Sequence, residues 1–302
     1  EGLKIGVYEH SAVGRDILSK VLRELGAEII SLGRSETFIP VDTEAIREED
    51  SRLAREWAKE GFFAIVSTDG DSDRPLLSDE NGEWLRGDVL GILAATALGI
   101  SSVVTPVSCN TALEKCNRFK KICRTRIGSP YVIEGMESLA QDFNSVAGYE
   151  ANGGFLLQTD VEKAGKILKA LPTRDALLPI ISVLVNAKDL KIKVSDLLKE
   201  LPSRFSASDR LKNFPTERSK QKIAEIKSEN LGEVLFGKFS GKLKSIDETD
   251  GFRMTFDSEE IIHLRPSGNA PELRCYVEAT SQERAKKLLT DCIQVLESFR
   301  GE

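Results

Sequence analysis

The sequence predicts an α/β protein with two doubly wound modules of mixed or parallel sheets, followed by an antiparallel α+β domain. Up to about Lys199, apolar strand-like runs alternate with helical patterns, which is typical of parallel sheets built from βαβ units. Beyond that point, strand-like runs follow one another without helices between them. A length of 302 residues also exceeds what one hydrophobic core usually supports.

The first module is predicted to span residues 1–85. Its third strand-like run, residues 62–66, has no polar residue, as expected of a strand buried on both faces of a parallel sheet. Asn81-Gly82 predicts the turn of a hairpin. The other predicted elements are strands at residues 3–8 and 27–32 and helices at 17–25 and 43–60.

The second module is predicted to span residues 86–200, where the alternation of strands and helices starts again. Residues 145–157 are strand-like on both sides of a central loop. The remaining predicted elements are helices at residues 89–98, 111–117, 131–143 and 175–187 and strands at 102–107 and 121–125.

The last domain is predicted to span residues 201–302. Residues 201–212 contain proline, serine and several charges, and they resemble a linker. Asp250-Gly251 predicts a hairpin turn, and the Thr280…Glu283 pattern predicts a capping box that opens the last helix. The other predicted elements are a helix at residues 217–227 and strands at 242–246, 252–256, 261–264 and 272–279.

Charge and cysteine content exclude several classes of function. A net charge of −6 argues against a general nucleic-acid binder, and no apolar run reaches the roughly 18 residues of a membrane span. The five cysteines form no CxxC pair, which indicates reduced thiols in a cytoplasmic protein. The chain shows no secretory leader and begins at Glu1 without methionine, so we expect it to be a piece of a longer protein.

An acidic loop is the most informative motif. Asp69, Asp71 and Asp73 alternate directly after the apolar run at residues 62–66, where open α/β sheets bind their ligands. Neighbouring carboxylates repel one another, and a hard divalent cation such as Mg²⁺ removes that penalty. The loop therefore predicts a magnesium site, with a solvated acidic turn as the alternative.

Two other kinds of site contain similar acidic loops. An EF-hand is rejected, because Arg74 stands where that loop needs glycine and the flanking segments are strands. A phosphatase of the haloacid-dehalogenase type stays open, with Asp69 as the nucleophile that accepts phosphate.

Two further loops carry groups suited to a phosphorylated sugar. In residues 265–271, a guanidinium, a hydroxyl, an amide and glycine-exposed N–H groups are suited to holding a phosphate, although a polar hairpin turn explains the same residues. In residues 148–154, Glu150 and Asn152 lie on a glycine-rich loop and can bind sugar hydroxyls, or the loop is only a tight connection.

The three loops occur in the order found in the α-D-phosphohexomutases, and the chain resembles the bacterial phosphomannomutase/phosphoglucomutase branch of that superfamily over nearly its whole length. The resemblance implies that Asp69, Asp71 and Asp73 are the magnesium ligands and that Arg74 offsets phosphate charge in catalysis. Residues 1–85, 86–200 and 201–302 resemble family domains 2, 3 and 4. The resemblance also implies substrate-binding roles for Glu150, Asn152, Arg265, Ser267, Gly268, Asn269 and Arg274.

Some family features are missing or altered. No segment matches the loop with the phosphorylated serine, which the resemblance places in a preceding α/β domain, and Ser11 is expected to cap a helix instead. Gly154 stands where many members have a histidine, and Ser129 and Ser108 lie near positions that carry a histidine and a lysine in some members. His10 is expected to be a loop residue and His263 a structural one.

The implied activity is a reversible transfer of phosphate between C1 and C6 of a glucose or mannose phosphate. The implied cofactors are Mg²⁺ and glucose 1,6-bisphosphate or mannose 1,6-bisphosphate, and the implied partners are a small sugar phosphate and the preceding domain. Without the serine, the isolated chain is expected not to turn over. A magnesium-dependent phosphatase and a non-catalytic sugar-phosphate binding protein stay as alternatives.

Overall fold

The computed structural model describes residues 2–268 and 270–300, and the chain forms two compact units, unit 1 (Glu1–Pro202) and unit 2 (Ser203–Glu302). The predicted fold class is confirmed, because unit 1 contains sheets with parallel strands flanked by helices and unit 2 contains an antiparallel sheet. Among the described residues, no helix combines the length and the apolar character needed to cross a membrane.

The first sheet of unit 1 has the strand order β2-β1-β3-β4. Strand β1 is parallel to β2 and to β3, while β4 runs antiparallel to β3. All five residues of β3 are buried, as its apolar sequence predicts. The elements are β1 (Lys4–Tyr8), α1 (Arg15–Glu24), β2 (Glu28–Leu32), α2 (Glu48–Ala58), β3 (Ala64–Thr68) and β4 (Pro75–Leu77).

The second sheet of unit 1 has the order β11-β8-β7-β5-β6, and a separate hairpin pairs β9 with β10. Strand β5 is parallel to β6 and β7, whereas β8 and β11 are antiparallel additions. The elements are α3 (Gly87–Ala97), β5 (Ser102–Pro106), α4 (Ala112–Lys115), β6 (Lys121–Thr125), α5 (Ser129–Leu139), β7 (Val146–Tyr149), β8 (Phe155–Leu157), β9 (Val161–Lys163), β10 (Lys166–Leu168), β11 (Leu171–Asp175), α6 (Leu177–Leu190) and α7 (Val194–Lys199).

One apolar cluster contains side chains from both sheets of unit 1, including Val7 of β1 and Val103 of β5. Helices α3 and α6 supply much of the rest of this cluster, among them Leu90 and Val183. The two sheets therefore share a core, and their loops have a rigid support. The predicted boundary between residues 85 and 86 falls between the two sheets in the sequence and stays a prediction.

Unit 2 is a five-stranded antiparallel sheet in the order β12-β16-β15-β14-β13, with a separate apolar core. The Asp250-Gly251 turn joins β13 to β14, as predicted. The elements are β12 (Phe205–Lys212), α8 (Thr216–Ser228), α9 (Leu231–Ser240), β13 (Leu243–Asp247), β14 (Phe252–Phe256), β15 (Ile261–Pro266), β16 (Glu272–Ala279) and α10 (Gln282–Ser298).

The structure corrects three local predictions. Residues 201–212 are not a linker: β12 pairs with β16 along its whole length, and its polar sequence reflects an edge strand. Helix α2 begins at Glu48 rather than at residue 43, because the Asp42 carboxylate accepts the N–H groups of Glu44 and Ala45 in a turn. Helix α10 is capped by Ser281, whose Oγ accepts the Arg284 N–H, and not by the preceding threonine.

Candidate active site

The acidic loop lies between β3 and β4 and is held by the segment that precedes α1. The Val13 N–H donates to the Gly70 carbonyl at 3.0 Å, and the Gly14 N–H donates to Ser72 Oγ at 2.9 Å. Ser72 has a φ of 65°, which is uncommon for a residue with a side chain. The buried His10 places Nε2 2.8 Å from the Thr68 carbonyl. These contacts fix the backbone that carries the aspartates.

The loop brings its three carboxylates together. One oxygen each from Asp69, Asp71 and Asp73 lies within 4.8 Å of the others. Oδ1 of Asp73 is buried and has no hydrogen-bond partner. Three hard oxygen donors at this spacing, one of them without a hydrogen bond, fit Mg²⁺, which binds carboxylates and keeps several waters.

Proximity changes how these carboxyl groups ionise. Burial, and to a lesser degree the hydrogen bond with Asp71 and the charges of both other aspartates, raises the pKa of Asp69 to about 6. The same hydrogen bond lowers the pKa of Asp71, which is exposed. The loop thus holds a proton at Asp69 more tightly than an isolated aspartate does, until a cation replaces it.

Two arginines offset part of the negative charge of this loop. Arg74 Nε lies 3.7 Å from Asp69 Oδ2 and 3.7 Å from Asp73 Oδ1. Arg174 Nη2, from β11, lies 2.8 Å from Asp73 Oδ2. Arg174 is not among the site residues predicted from the sequence, since nothing in its local sequence distinguishes it from other arginines. Its position depends on the antiparallel addition of β11 to β8.

The predicted sugar loop closes on itself between β7 and β8. The Glu150 N–H donates to the Gly154 carbonyl at 3.1 Å, and the Gly154 N–H donates to Asn152 Oδ1 at 2.9 Å. Glu150 is buried, and its Oε2 has no hydrogen-bond partner. Burial raises the pKa of Glu150, while Arg174 and Arg74 act in the opposite direction.

Close packing holds this loop against neighbouring segments of unit 1. The Thr43 hydroxyl donates to the Asn152 carbonyl at 2.7 Å. A Cβ at Gly87, the first residue of α3, would lie 2.2 Å from the Gly153 nitrogen, so only glycine fits there. Arg174 completes the connection, because it pairs with Asp73 and acts on Glu150. The structure therefore assembles two of the three predicted loops within unit 1.

The third loop follows β15 in unit 2. Arg265 Nε donates to Asp250 Oδ2 at 3.0 Å, and both side chains are largely buried. His263 Nε2 lies 2.6 Å from the Asp250 carbonyl, and burial lowers the pKa of this histidine to about 4. A neutral His263 and the paired Asp250 thus support Arg265, in agreement with a structural role for the histidine.

Of the other predicted ligands in unit 2, Ser267 is buried, and its N–H donates to the Glu272 carbonyl at 2.9 Å. Gly268 is open, with no atom within 4 Å of the place where a Cβ would stand. Arg274 Nε lies 3.9 Å from Glu272 Oε2, and its side chain is one-third exposed. Asn269 lies outside the described residues.

The prediction that Ser11 caps a helix is wrong. Its Oγ accepts the Ile39 N–H at 2.7 Å and donates to the Ile39 carbonyl at 3.3 Å. Helix α1 has Gly14 at its N-cap position and no side-chain cap. Ser11 therefore ties the segment before α1 to the long connection after β2.

The pKa of Asp69 predicts how metal binding depends on pH. Because metal ligation requires ionised carboxylates, protonation of Asp69 competes with the cation. Affinity for Mn²⁺, as a probe for Mg²⁺, should be constant above about pH 7 and fall about tenfold per pH unit below about pH 6. Calorimetric titrations at several pH values measure this. An affinity that stays constant down to about pH 5 would contradict the competition between a proton on Asp69 and the metal.

Comparison with known proteins identifies relatives of this chain. The family model "Phosphoglucomutase/phosphomannomutase, alpha/beta/alpha domain III" matches residues 86–205, and that of the "C-terminal domain" of the same family matches residues 190–294. A phosphomannomutase of Salmonella muenchen is 49% identical over 306 residues, an alignment that covers 99% of this chain and 62% of that protein. The chain thus spans less than two thirds of the length of this relative.

Solved structures share the fold. A phosphoglucomutase/phosphomannomutase family protein from Burkholderia thailandensis has a TM-score of 0.73 and 17% identity, over 99% of this chain and 61% of that one. The N-acetylphosphoglucosamine mutase of Aspergillus fumigatus, in complex with GlcNAc-6P and magnesium, has a TM-score of 0.63 and 15% identity, over 99% of this chain and 62% of that one. The fold is that of the α-D-phosphohexomutases.

The chain belongs to the phosphoglucomutase/phosphomannomutase family, which confirms the resemblance seen in the sequence. The comparisons do not favour the two alternatives, a phosphatase with Asp69 as nucleophile and a non-catalytic binding protein.

Proposed function

We propose that this chain carries the metal-binding, sugar-binding and phosphate-binding loops of a hexose-phosphate mutase. The reaction would move phosphate between C1 and C6 of a glucose or mannose phosphate through a bisphosphate. The observation that carries the proposal is the cluster in unit 1, where Asp73 of the acidic loop pairs with Arg174 and the buried Glu150 lies within the field of the same arginine. All five cysteines are free thiols, in keeping with the cytoplasmic location that we propose.

In the acidic loop, Asp69, Asp71 and Asp73 would hold Mg²⁺. When bound, the ion supplies positive charge that stabilises the transferring phosphoryl group. Arg74 would also stabilise the charge of the transferring phosphoryl group, since its guanidinium lies within 4 Å of two of these carboxylates. It can therefore share its charge with an incoming phosphate.

In the sugar loop, Glu150 would accept hydrogen bonds from sugar hydroxyls. Its buried Oε2 has no hydrogen-bond partner, and a buried carboxylate oxygen without a partner costs free energy that a hydroxyl donor recovers. Asn152 hydrogen-bonds both Gly154 and Glu150, so it holds the loop in shape as well as lining it.

In unit 2, the loop after β15 is assigned the phosphate that is not transferred. Arg265 offers a guanidinium whose orientation is fixed by Asp250, and bidentate guanidinium contacts are well suited to phosphate. Gly268 leaves its backbone open to a ligand. The remaining groups assigned to this phosphate are Ser267, Asn269 and Arg274.

Calorimetry with glucose 1,6-bisphosphate, together with an assay that converts glucose 1-phosphate to glucose 6-phosphate, tests the proposal on the 302-residue chain. We expect binding that is stronger with Mg²⁺ and no conversion, because no segment of the sequence matches the loop with the phosphorylated serine. Conversion by this chain alone would refute the need for that serine. A phosphate ester trapped on Asp69 would support the phosphatase instead.

A further inference from the structure

Arg174 occupies a place between the two loops that neither loop's own sequence indicates. Its stem runs along the sugar loop, because a Cβ built on Gly154 would lie 2.9 Å from Arg174 Cδ and 3.0 Å from Cγ. Its Nη2 reaches the acidic loop and pairs with Asp73 Oδ2 at 2.8 Å. The absence of a side chain at position 154 therefore makes room for a cation supplied by another strand.

The charges around Arg174 are not balanced. The carboxylates of Asp69, Asp71, Asp73 and Glu150 outnumber the two guanidinium groups of Arg74 and Arg174, and the charge of Glu44 also acts on Glu150. Negative charge is therefore in excess when all these groups are ionised. A divalent cation reduces that excess.

A bound cation would compete with Arg174 for Asp73. The two cations would share one carboxylate, with the metal on the side of Oδ1, which accepts no hydrogen bond, and the Arg174 guanidinium on Oδ2. Like charges a few ångströms apart repel strongly in a partly buried site. Metal binding therefore weakens the ion pair between Asp73 and Arg174, and the guanidinium becomes available to another anion.

We propose that Arg174 is a phosphosugar ligand controlled by the metal: it pairs with Asp73 in the metal-free protein and turns to the phosphate of the sugar when Mg²⁺ binds. The inference rests on the proposed function and adds a residue to its site. A phosphate drawn to the metal lies near Asp73 and so within reach of a guanidinium, which binds phosphate oxygens in a fork.

The test uses the 302-residue chain with Arg174→Met, which keeps an unbranched stem beside Gly154 but removes the charge. Titration with Mn²⁺ alone, followed by electron paramagnetic resonance, should show metal binding about threefold or more tighter than in the wild type, because a repelling cation is gone. Calorimetry with glucose 1,6-bisphosphate in the presence of Mn²⁺ should show affinity about tenfold or more weaker.

Arg174→Lys and Arg118→Gln are the companion variants. Arg174→Lys keeps a positive charge at this position, so its Mn²⁺ affinity should equal that of the wild type. Its bisphosphate affinity should lie between those of the wild type and Arg174→Met. This second variant keeps the test valid if Arg174→Met fails to fold. Arg118→Gln removes an exposed ion pair with Glu200 and should change neither affinity.

Opposite changes in the two affinities are the signature of the proposal, since a purely structural role of Arg174 would weaken both. Weaker Mn²⁺ binding by Arg174→Met, or unchanged bisphosphate binding, would overturn it. A wild-type chain that binds neither Mn²⁺ nor the bisphosphate would instead overturn the proposed function itself.

Discussion

Replacing Asp71 with asparagine is expected to weaken Mg²⁺ binding by more than about 100-fold, since the loss of outer-shell partners alone costs about 10- to 100-fold in metal affinity. Asparagine keeps the shape of the side chain and removes the negative charge that a hard cation requires. Asp71 is the most exposed of the three aspartates, so the fold should tolerate the change. Calorimetric titration with Mg²⁺ measures the effect.

Asp160→Asn is the matched control for Asp71→Asn. Asp160 is exposed and pairs with Lys169 beside the β9–β10 hairpin, away from the acidic loop. This variant should bind Mg²⁺ as the wild type does. An Asp71→Asn protein that also bound Mg²⁺ like the wild type would show that the acidic loop is only a solvated turn.

The second large effect is expected at the loop after β15. Arg265→Gln should weaken the binding of glucose 1,6-bisphosphate by about 10- to 150-fold, since hydrogen bonds to charged groups contribute about 1.5–3 kcal/mol. The Asp250 carboxylate that orients Arg265 would be left without this partner, so thermal unfolding should be recorded with the affinity. Calorimetry at saturating Mg²⁺ separates this change from any effect on metal binding.

Arg300→Gln serves as the control for Arg265→Gln, because Arg300 pairs with Glu297 near the end of the chain and is exposed. We expect no change in bisphosphate affinity for this variant. Asp250→Asn should lower the affinity less than Arg265→Gln does, because it loosens the guanidinium without removing it. Unchanged affinity in Arg265→Gln would assign the phosphate to other residues.

The sequence predicted most of the fold because hydrophobic periodicity reports burial directly. The apolar run at residues 62–66, which leads into β3, and the helical spacing in α1 can be recognised without knowledge of their neighbours. Strand β12 was wrongly predicted as a linker. It is an edge strand held by hydrogen bonds to β16, and its polar side chains resemble those of a linker sequence. Helix α9 was also missed, since it follows α8 after only two residues.

The clustering of the three aspartates could be predicted for a similar reason: they are close in the sequence, so their repulsion, and the metal binding that we propose, follow from spacing alone. Arg174 could not. It lies about a hundred residues from Asp73, and their contact arises only when β11 joins β8 at the edge of the second sheet. Long-range pairs of this kind leave no local signal.

The central claim is that Asp69, Asp71 and Asp73 together hold one divalent cation. Anomalous diffraction from crystals of this chain grown with Mn²⁺ tests it most directly. The account predicts one strong peak with a carboxylate oxygen from each of the three aspartates about 2.0–2.3 Å away, close to the distances of oxygen ligands to small divalent cations. A saturated crystal with its Mn²⁺ bound elsewhere, or with none at this loop, would contradict it.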